Sequence, residues 1–265
     1  YTPHPVIGLS PEALDAYIIG EDPDTGKIII DEIIDALTKP VDGNGHKTAA
    51  PVATEAPVVQ RLLGPDTEDN LQQLFYDMGW TDGLPIILPT EERVEAMLVG
   101  TAAARDEVVA ESFSFAAREM IQYTVEHFAV IAVMAGARPE YFPVILAIGA
   151  TKQSALMPST TPFEAMLLVN GPVRNEIGMN CGLGAYSAVT MANSVIGRSW
   201  TLMSIVHGYA RPKTTLWSSQ GNNHTYNNMC AGENEEASVW EPFHVTKGFR
   251  PEESVVSVFR GWTYL

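Results

Sequence analysis

LLVNGPVRNEIGMNCGLG, residues 167–184, is the stretch on which the fold turns. Met166–Val169 is a short apolar run that breaks at once into Asn170-Gly171-Pro172, the pattern of a buried strand ending in a turn. Arg174, Glu176, Asn180 and Cys181 follow, interleaved with Gly178, Gly182 and Gly184. Glycines at these positions permit positive φ or close backbone approach to a ligand. A strand that opens into a polar, glycine-rich loop places side chains over a pocket; a purely structural turn would use the same residues.

The remainder reads outward from there. After the loop, Ser187–Val206 is apolar and rich in small residues, as expected of a segment packed closely on a neighbour. Residues 218–236 are almost wholly polar, and Val255–Phe259 reads as a strand. Such a strand near Leu265 is expected to be an edge strand, or to be completed by a second subunit. Upstream, residues 115–135 (FAAREMIQYTVEHFAVIAVMA) carry apolar residues at three and four spacing, which predicts one long helix closed by Gly136. A further apolar helix is expected over Val144–Leu156. Earlier still come helices opened by Asp66–Asp69 and by Pro89–Arg93, joined through a turn at 80–85 and a short strand Ile86–Leu88. In the first, Leu71, Leu74, Phe75 and Met78 form the expected apolar stripe. Residues 1–57 form an N-terminal arm, with a helix signal at Ser10-Pro11-Glu12, a strand at Lys27–Ile30, a helix at Asp31–Leu37 and a linker at Thr38–Pro57. The expected fold is α/β of mixed α+β type. Its first half is helix-rich, its second half has short strands and long polar Gly/Asn-rich loops, and residues 58–265 form a single domain.

Composition excludes several classes. Of 265 residues, 16 are basic and 32 acidic, a net charge of −16, so no basic patch is available for nucleic acid or an anionic membrane. No apolar run approaches the ~18 residues of a membrane span. The N-terminus has neither a signal core nor a starting Met, so the chain reads as one that has lost its first residues. Two cysteines make no disulfide framework, and a cytoplasmic location is expected. No HxH or HExxH pair, GxGxxG or P-loop is present, so neither a standard zinc site nor a nucleotide cofactor is indicated.

The candidate chemistry lies in two loops. Glu233-Asn234-Glu235-Glu236 places carboxylates close enough to repel, which would raise the pKa of at least one of them and suit it to acid–base work. Glu233 and His244 are the favoured pair, because they flank Trp240 and Phe243, whose burial would pull the loop inward. Glu235 and Glu236 read as solvated. Cys181 is a candidate nucleophile near Arg174, against the alternative of a small buried thiol. Asn170 and Asn180 could donate amide hydrogens to an anionic substrate or intermediate, Arg174 could hold its charge, and Asp82 and His127 could complete the pocket. His127 also fits a satisfied core histidine. The cofactor is unknown. A metal ion held by His224 and Cys230, with Glu233 nearby, is the metal-dependent alternative.

Four separated blocks carry a resemblance. They are DGLPIILPTEERVEAML (82–98), AVMAGARPEYFPV (132–144), the 167–184 stretch and ENEEASVWEPFHV (233–245). Together they resemble an uncharacterised bacterial family associated with proteins bearing a UGSC or CGSC motif, which is distantly similar to the selenoprotein component of glycine and betaine reductases. The resemblance spans Leu71 to Phe259. Where this chain has Cys181 the family has Ser, and its members continue past the 255–259 strand. The resemblance implies a subunit of a multimeric enzyme that cleaves C–S, C–N or similar bonds in small molecules, with a second subunit completing the C-terminal part of a homo- or hetero-oligomer. It transfers no catalytic residue. The expectation is thus a lyase or hydrolase acting on a small, anionic molecule, against the alternative of a non-catalytic structural subunit.

Overall fold

A computed structural model of the chain describes residues 10–21, 26–39, 61–114, 119–156, 163–187, 189–208, 210 and 229–262. The Thr38–Pro57 linker beyond Lys39, the histidines at 4, 46 and 224 and the greater part of the 218–236 loop lie outside the described residues. The chain divides into two compact units, Tyr1–Pro65 and Asp66–Leu265. In the first, α1 (Pro11–Ile19) and α2 (Ile29–Thr38) are joined by an antiparallel bridge between Glu21 and Ile28. The strand expected at Lys27–Ile30 is reduced to that one bridge. Ile28 instead precedes the helix, accepting from the Asp31 and Glu32 N–H groups.

In the second unit, α3 (Glu68–Asp77) and α4 (Glu91–Leu98) each begin at a threonine whose hydroxyl accepts a backbone N–H: Asn70 N–H to Thr67, Arg93 N–H to Thr90. Of the stripe expected on α3 only Phe75 is buried; Leu74 and Met78 are exposed. No strand forms at Ile86–Leu88. The Gln72 side chain does a neighbouring strand's work there, donating to Ile86 O at 2.7 Å and accepting from Ile86 N at 3.3 Å.

The long helix expected over 115–135 is two elements. β1 (Val108–Ser114) pairs antiparallel with β2 (Glu119–Thr124), and only then does α5 (Val125–Ala135) begin. Within EMIQYT the pattern alternates: Tyr123 is buried and Ile121 half-buried, while Met120 and Gln122 face out. β-branched and aromatic residues at a period of two suit a half-buried strand, and Met120, which the helical spacing over 115–135 would turn inward, lies in solvent. Thr124 and His127 form a reciprocal cap that marks the switch. Beyond Glu126 and His127 of its first turn α5 is wholly apolar, and Val125, Phe128, Ala129, Ile131, Ala132 and Met134 are almost wholly buried. It packs on α4, on α6 (Phe142–Ala150) and on α8 (Met191–Val206). Each fully buried large side chain there contributes on the order of 1.5–3 kcal/mol. The Trp200 indole of α8 is buried and donates to Gln153 O at 2.7 Å.

Among the described residues three strands form the second sheet, in the order β4-β3-β5: β3 (Phe163–Asn170), β4 (Met229–Gly232) and β5 (Val255–Trp262). β3 runs parallel to β4 and antiparallel to β5, so β5 is an outer strand. The chain passes from β3 through the short α7 (Val173–Glu176) and α8 before β4. This is a mixed α/β fold with its helices concentrated in the first half. No described helix is long and apolar enough to cross a membrane.

β3 turns at Gly171, whose φ is +81°. A Cβ there would collide with the backbone oxygen of Glu253. Gly171→Ala therefore combines left-handed strain with a backbone clash, and is expected to cost ~2 kcal/mol or more. The urea midpoint should fall with an unchanged m-value; an unaltered midpoint would show that the turn is not rigid.

Candidate functional site

The parallel register brings the two candidate loops together. Val169 lies opposite Gly232, and the Glu233 N–H continues the ladder to Val169 O at 3.0 Å. Glu233 thus emerges beside Asn170, the last residue of β3. Residues 234–238 then turn back, with the Ala237 and Ser238 N–H groups bonded to Asn234 O. Glu235 and Glu236 meet the end of β3 and α7 as a result.

Asn170 is fully buried, and its Nδ2 donates to Glu233 Oε2 at 2.5 Å and to Glu235 Oε1 at 2.9 Å. Glu235 Oε1 also accepts the Gly171 N–H at 2.9 Å. Arg174, 3% exposed, pairs with both oxygens of Glu236 at 2.8 and 3.0 Å and with Glu235 Oε2 at 2.9 Å. Far from being solvated, Glu235 is tucked inward and Glu236, though exposed, is fixed in a bidentate pair. Nor does crowding raise their pKa values. The Arg174 hydrogen bonds hold Glu236 down at about 2. Burial works against the charged form of Glu235, but the Gly171 N–H, Arg174 and Asn170 outweigh it and keep that carboxyl below the usual range. Arg174 in turn is held above its ordinary value, first by Glu236. The sequence reading of these two glutamates as solvated is corrected; the signal against it was an Arg and an Asn at a buried strand end, which require partners when desolvated.

Glu233 and Cys181 share an open cavity of about 650 Å³. Its wall includes Leu168, the 182–187 loop, Ala231 and Asn234. Glu233 Oε2 also accepts the Phe243 N–H at 2.8 Å, so the carboxylate is aimed by two donors. Cys181 is half-buried, with its thiol 3.6 Å from Met179 O. Its loop is tied down by asparagines. Asn180 Oδ1 accepts the Gly182 N–H and its Nδ2 donates to Leu183 O, while Asn193 of α8 bonds the Asn180 backbone on both sides and Ala185 O. Asn180 therefore shapes the loop that it was expected to serve as a substrate ligand.

The other candidates sit elsewhere. His244, on α9 (Phe243–Thr246), is completely buried and has no place in the cavity wall. Its Nδ1 lies 3.9 Å from Glu235 Oε1, too far for a hydrogen bond, and its contact is with Glu235, not with its expected partner Glu233. The burial expected of Trp240 does not occur; that ring is 80% exposed. Asp82 is bound to Arg198 of α8 at 2.9 and 3.0 Å and fastens the 82–85 turn to that helix. His127 belongs to another cluster, edge-on to Tyr123 and to His207, with its Nδ1 accepting the Thr124 N–H. Burial lowers its pKa. Cys230 is buried in β4, and burial pushes its thiol up to about 12, which is unsuited to a thiolate ligand. Among the described residues no group of three or more His, Cys, Asp or Glu is placed to hold a metal ion.

Two outcomes follow from these charges. Arg174→Met leaves Glu235 without its cation in a largely desolvated corner, and is expected to destabilise the fold by ~3–5 kcal/mol in urea titrations. An effect below ~1 kcal/mol would mean that the pair is solvated. The second concerns His207, whose ring stacks on Tyr123 at 4.2 Å. Burial, reinforced by His127, holds it down at about 3, against an unfolded value near 6.5. The unfolded chain therefore binds this proton first. The His207 contribution is complete above pH ~6.5 and is lost as pH falls toward 3, at up to ~1.4 kcal/mol per unit. His207→Phe should flatten the stability profile between pH 6.5 and 5; an unchanged slope would assign the acid sensitivity to other groups.

The chain matches no protein-family model, no curated protein and no solved structure.

Proposed function

We propose that the second unit is an enzyme of the hydrolase type, acting on a small molecule in the cavity shared by Cys181 and Glu233. The observation that carries this reading is the convergence of a thiol and a doubly hydrogen-bonded carboxylate, distant in the chain, on one open hollow. Cys181 Sγ attacks an electrophilic acyl-type carbon, and its proton passes to Glu233. The carboxyl returns that proton to the departing amine, alcohol or thiol. Water then cleaves the S-acyl bond, releasing the acid and restoring the thiol. The sum is hydrolysis, with no change of oxidation state. The N–H groups of Leu183 and Gly184, which have no acceptor among the described residues, are available to a developing oxyanion.

The substrate class differs from the anion expected from sequence. The described cavity wall contains a carboxylate and no Lys or Arg, and Arg174 is committed to Glu235 and Glu236. A neutral small molecule fits that lining. The small-molecule chemistry implied by the family resemblance is in keeping with this reading.

A multimeric setting is the second reading, supported by large apolar side chains left in solvent. Leu183 on the cavity wall is fully exposed, and Val239 and Trp240 are 89% and 80% exposed. Such residues favour a partner surface. A native mass equal to one chain at micromolar concentration would remove it.

The enzyme reading is tested with p-nitrophenyl acetate as a generic acyl donor. A burst of p-nitrophenol and an acetyl adduct on Cys181 by intact mass are expected. Cys181→Ser should abolish both, and Glu233→Gln should slow turnover ~10²-fold or more with the fold unchanged by circular dichroism. Acylation that is indifferent to both substitutions would sink the proposal.

A further inference from the structure

Arg174 has a donor that its glutamates do not use. Its two terminal nitrogens bond Glu235 and Glu236, but its Nε, fully buried, has no hydrogen-bond partner among the described residues. A buried guanidinium donor without an acceptor is costly unless something claims it during function. Beside it lies Gly232, the last residue of β4. A Cβ placed on Gly232 would collide with Cys181 Sγ and stand 3.3 Å from both Cβ and Cδ of Arg174. The sulfur and the arm that carries Nε thus flank one point, and only a glycine leaves that point open.

We propose that Arg174 is the electrostatic partner of the Cys181 sulfur: its Nε–H donates to no carboxylate and serves the negative charge that the sulfur develops on reaction. Glu235 and Glu236 then have a second role. By engaging the outer edge of the guanidinium they orient its remaining N–H, and they keep the fork from reaching into the cavity. Charge-assisted hydrogen bonds are stronger than neutral ones, so the sulfur gains most from Nε as its proton leaves. Gly232 acts through space, by allowing the two groups to approach. The inference rests on the reading of Cys181 as the nucleophile, and extends it to a residue outside the cavity wall.

The test is alkylation of Cys181 in the full chain by iodoacetamide, followed by intact mass. The sulfur attacks the methylene carbon, the carbon–iodine bond breaks, iodide departs and the thiol proton enters solvent. Arg174→Gln is expected to slow the reaction at least tenfold, and Arg174→Lys, which keeps the charge, to recover part of the rate. If Arg174→Gln does not fold, Gly232→Ala decides. Its methyl separates sulfur from Nε while leaving the Arg174–Glu236 pair in place, and should slow alkylation equally for iodoacetamide and for the bulkier N-ethylmaleimide. Slowing that grows with reagent size is steric and overturns the inference, as do folded Arg174→Lys and Gly232→Ala variants that react at the wild-type rate. The outcome is separable from that of the hydrolase reading. Arg174-dependent alkylation without an acyl burst defeats the enzyme proposal alone; a Cys181-dependent burst with Arg174-independent alkylation defeats this inference alone.

Discussion

One parallel pairing organises the second unit. Because Val169 stands opposite Gly232 and the next N–H joins the ladder, the chain leaves β4 with Glu233 against Asn170 and then folds its acidic turn over Arg174. A slip of one residue would turn every side chain of β4 to the opposite face. Cys230 would leave the core, and the three glutamates would lose the asparagine and the arginine that compensate them. Register and charge therefore specify each other: the apolar face of β4 selects the pairing, and the pairing places an ion pair that no other alignment satisfies.

Taking Arg174 out of water is unfavourable, and its attraction to Glu235 and Glu236 serves first to offset that cost. What the arrangement yields is orientation. Asn170 donates to two carboxylates at once, Gly171 adds a backbone donor to one of them, and the Phe243 N–H anchors Glu233 from the other side. The result is a carboxylate aimed at a hollow and a guanidinium whose Nε–H is left without a carboxylate partner. Both rest on elements set by a well-packed helical layer, in which α5 is enclosed by α4, α6 and α8 and Asn193 of α8 clasps the loop bearing Cys181.

Some of this was legible in the residues. The apolar run at 166–169 marked β3, the stretches Asp66–Asp69 and Pro89–Arg93 marked helix starts, and Gly136 with its left-handed φ marked a helix end. The site candidates Asn170, Arg174, Cys181 and Glu233 are indeed neighbours, which polar residues at a buried strand end make predictable. Other readings failed for local reasons. EMIQYT fits a helical stripe when read together with the apolar residues that follow, and only pairing with β1 turns its alternation into a strand. Glu235 and Glu236 look solvated in any window that omits Arg174, which precedes them by some sixty residues.

By itself, the amino-acid order determined the mixed α/β class, the buried character of the helix after Thr124, the excess negative charge and the kinds of group available for chemistry. These are properties of composition and short-range period, which a chain carries before it folds. Tertiary structure alone decided which groups meet. It matched Arg174 with two glutamates instead of a ligand, sealed His244 behind Glu235, bound Asp82 to Arg198 and opened one hollow between Cys181 and Glu233. The reason is physical: strand register and desolvation act between residues far apart in sequence, and a carboxylate's state depends on the cation that folding places beside it.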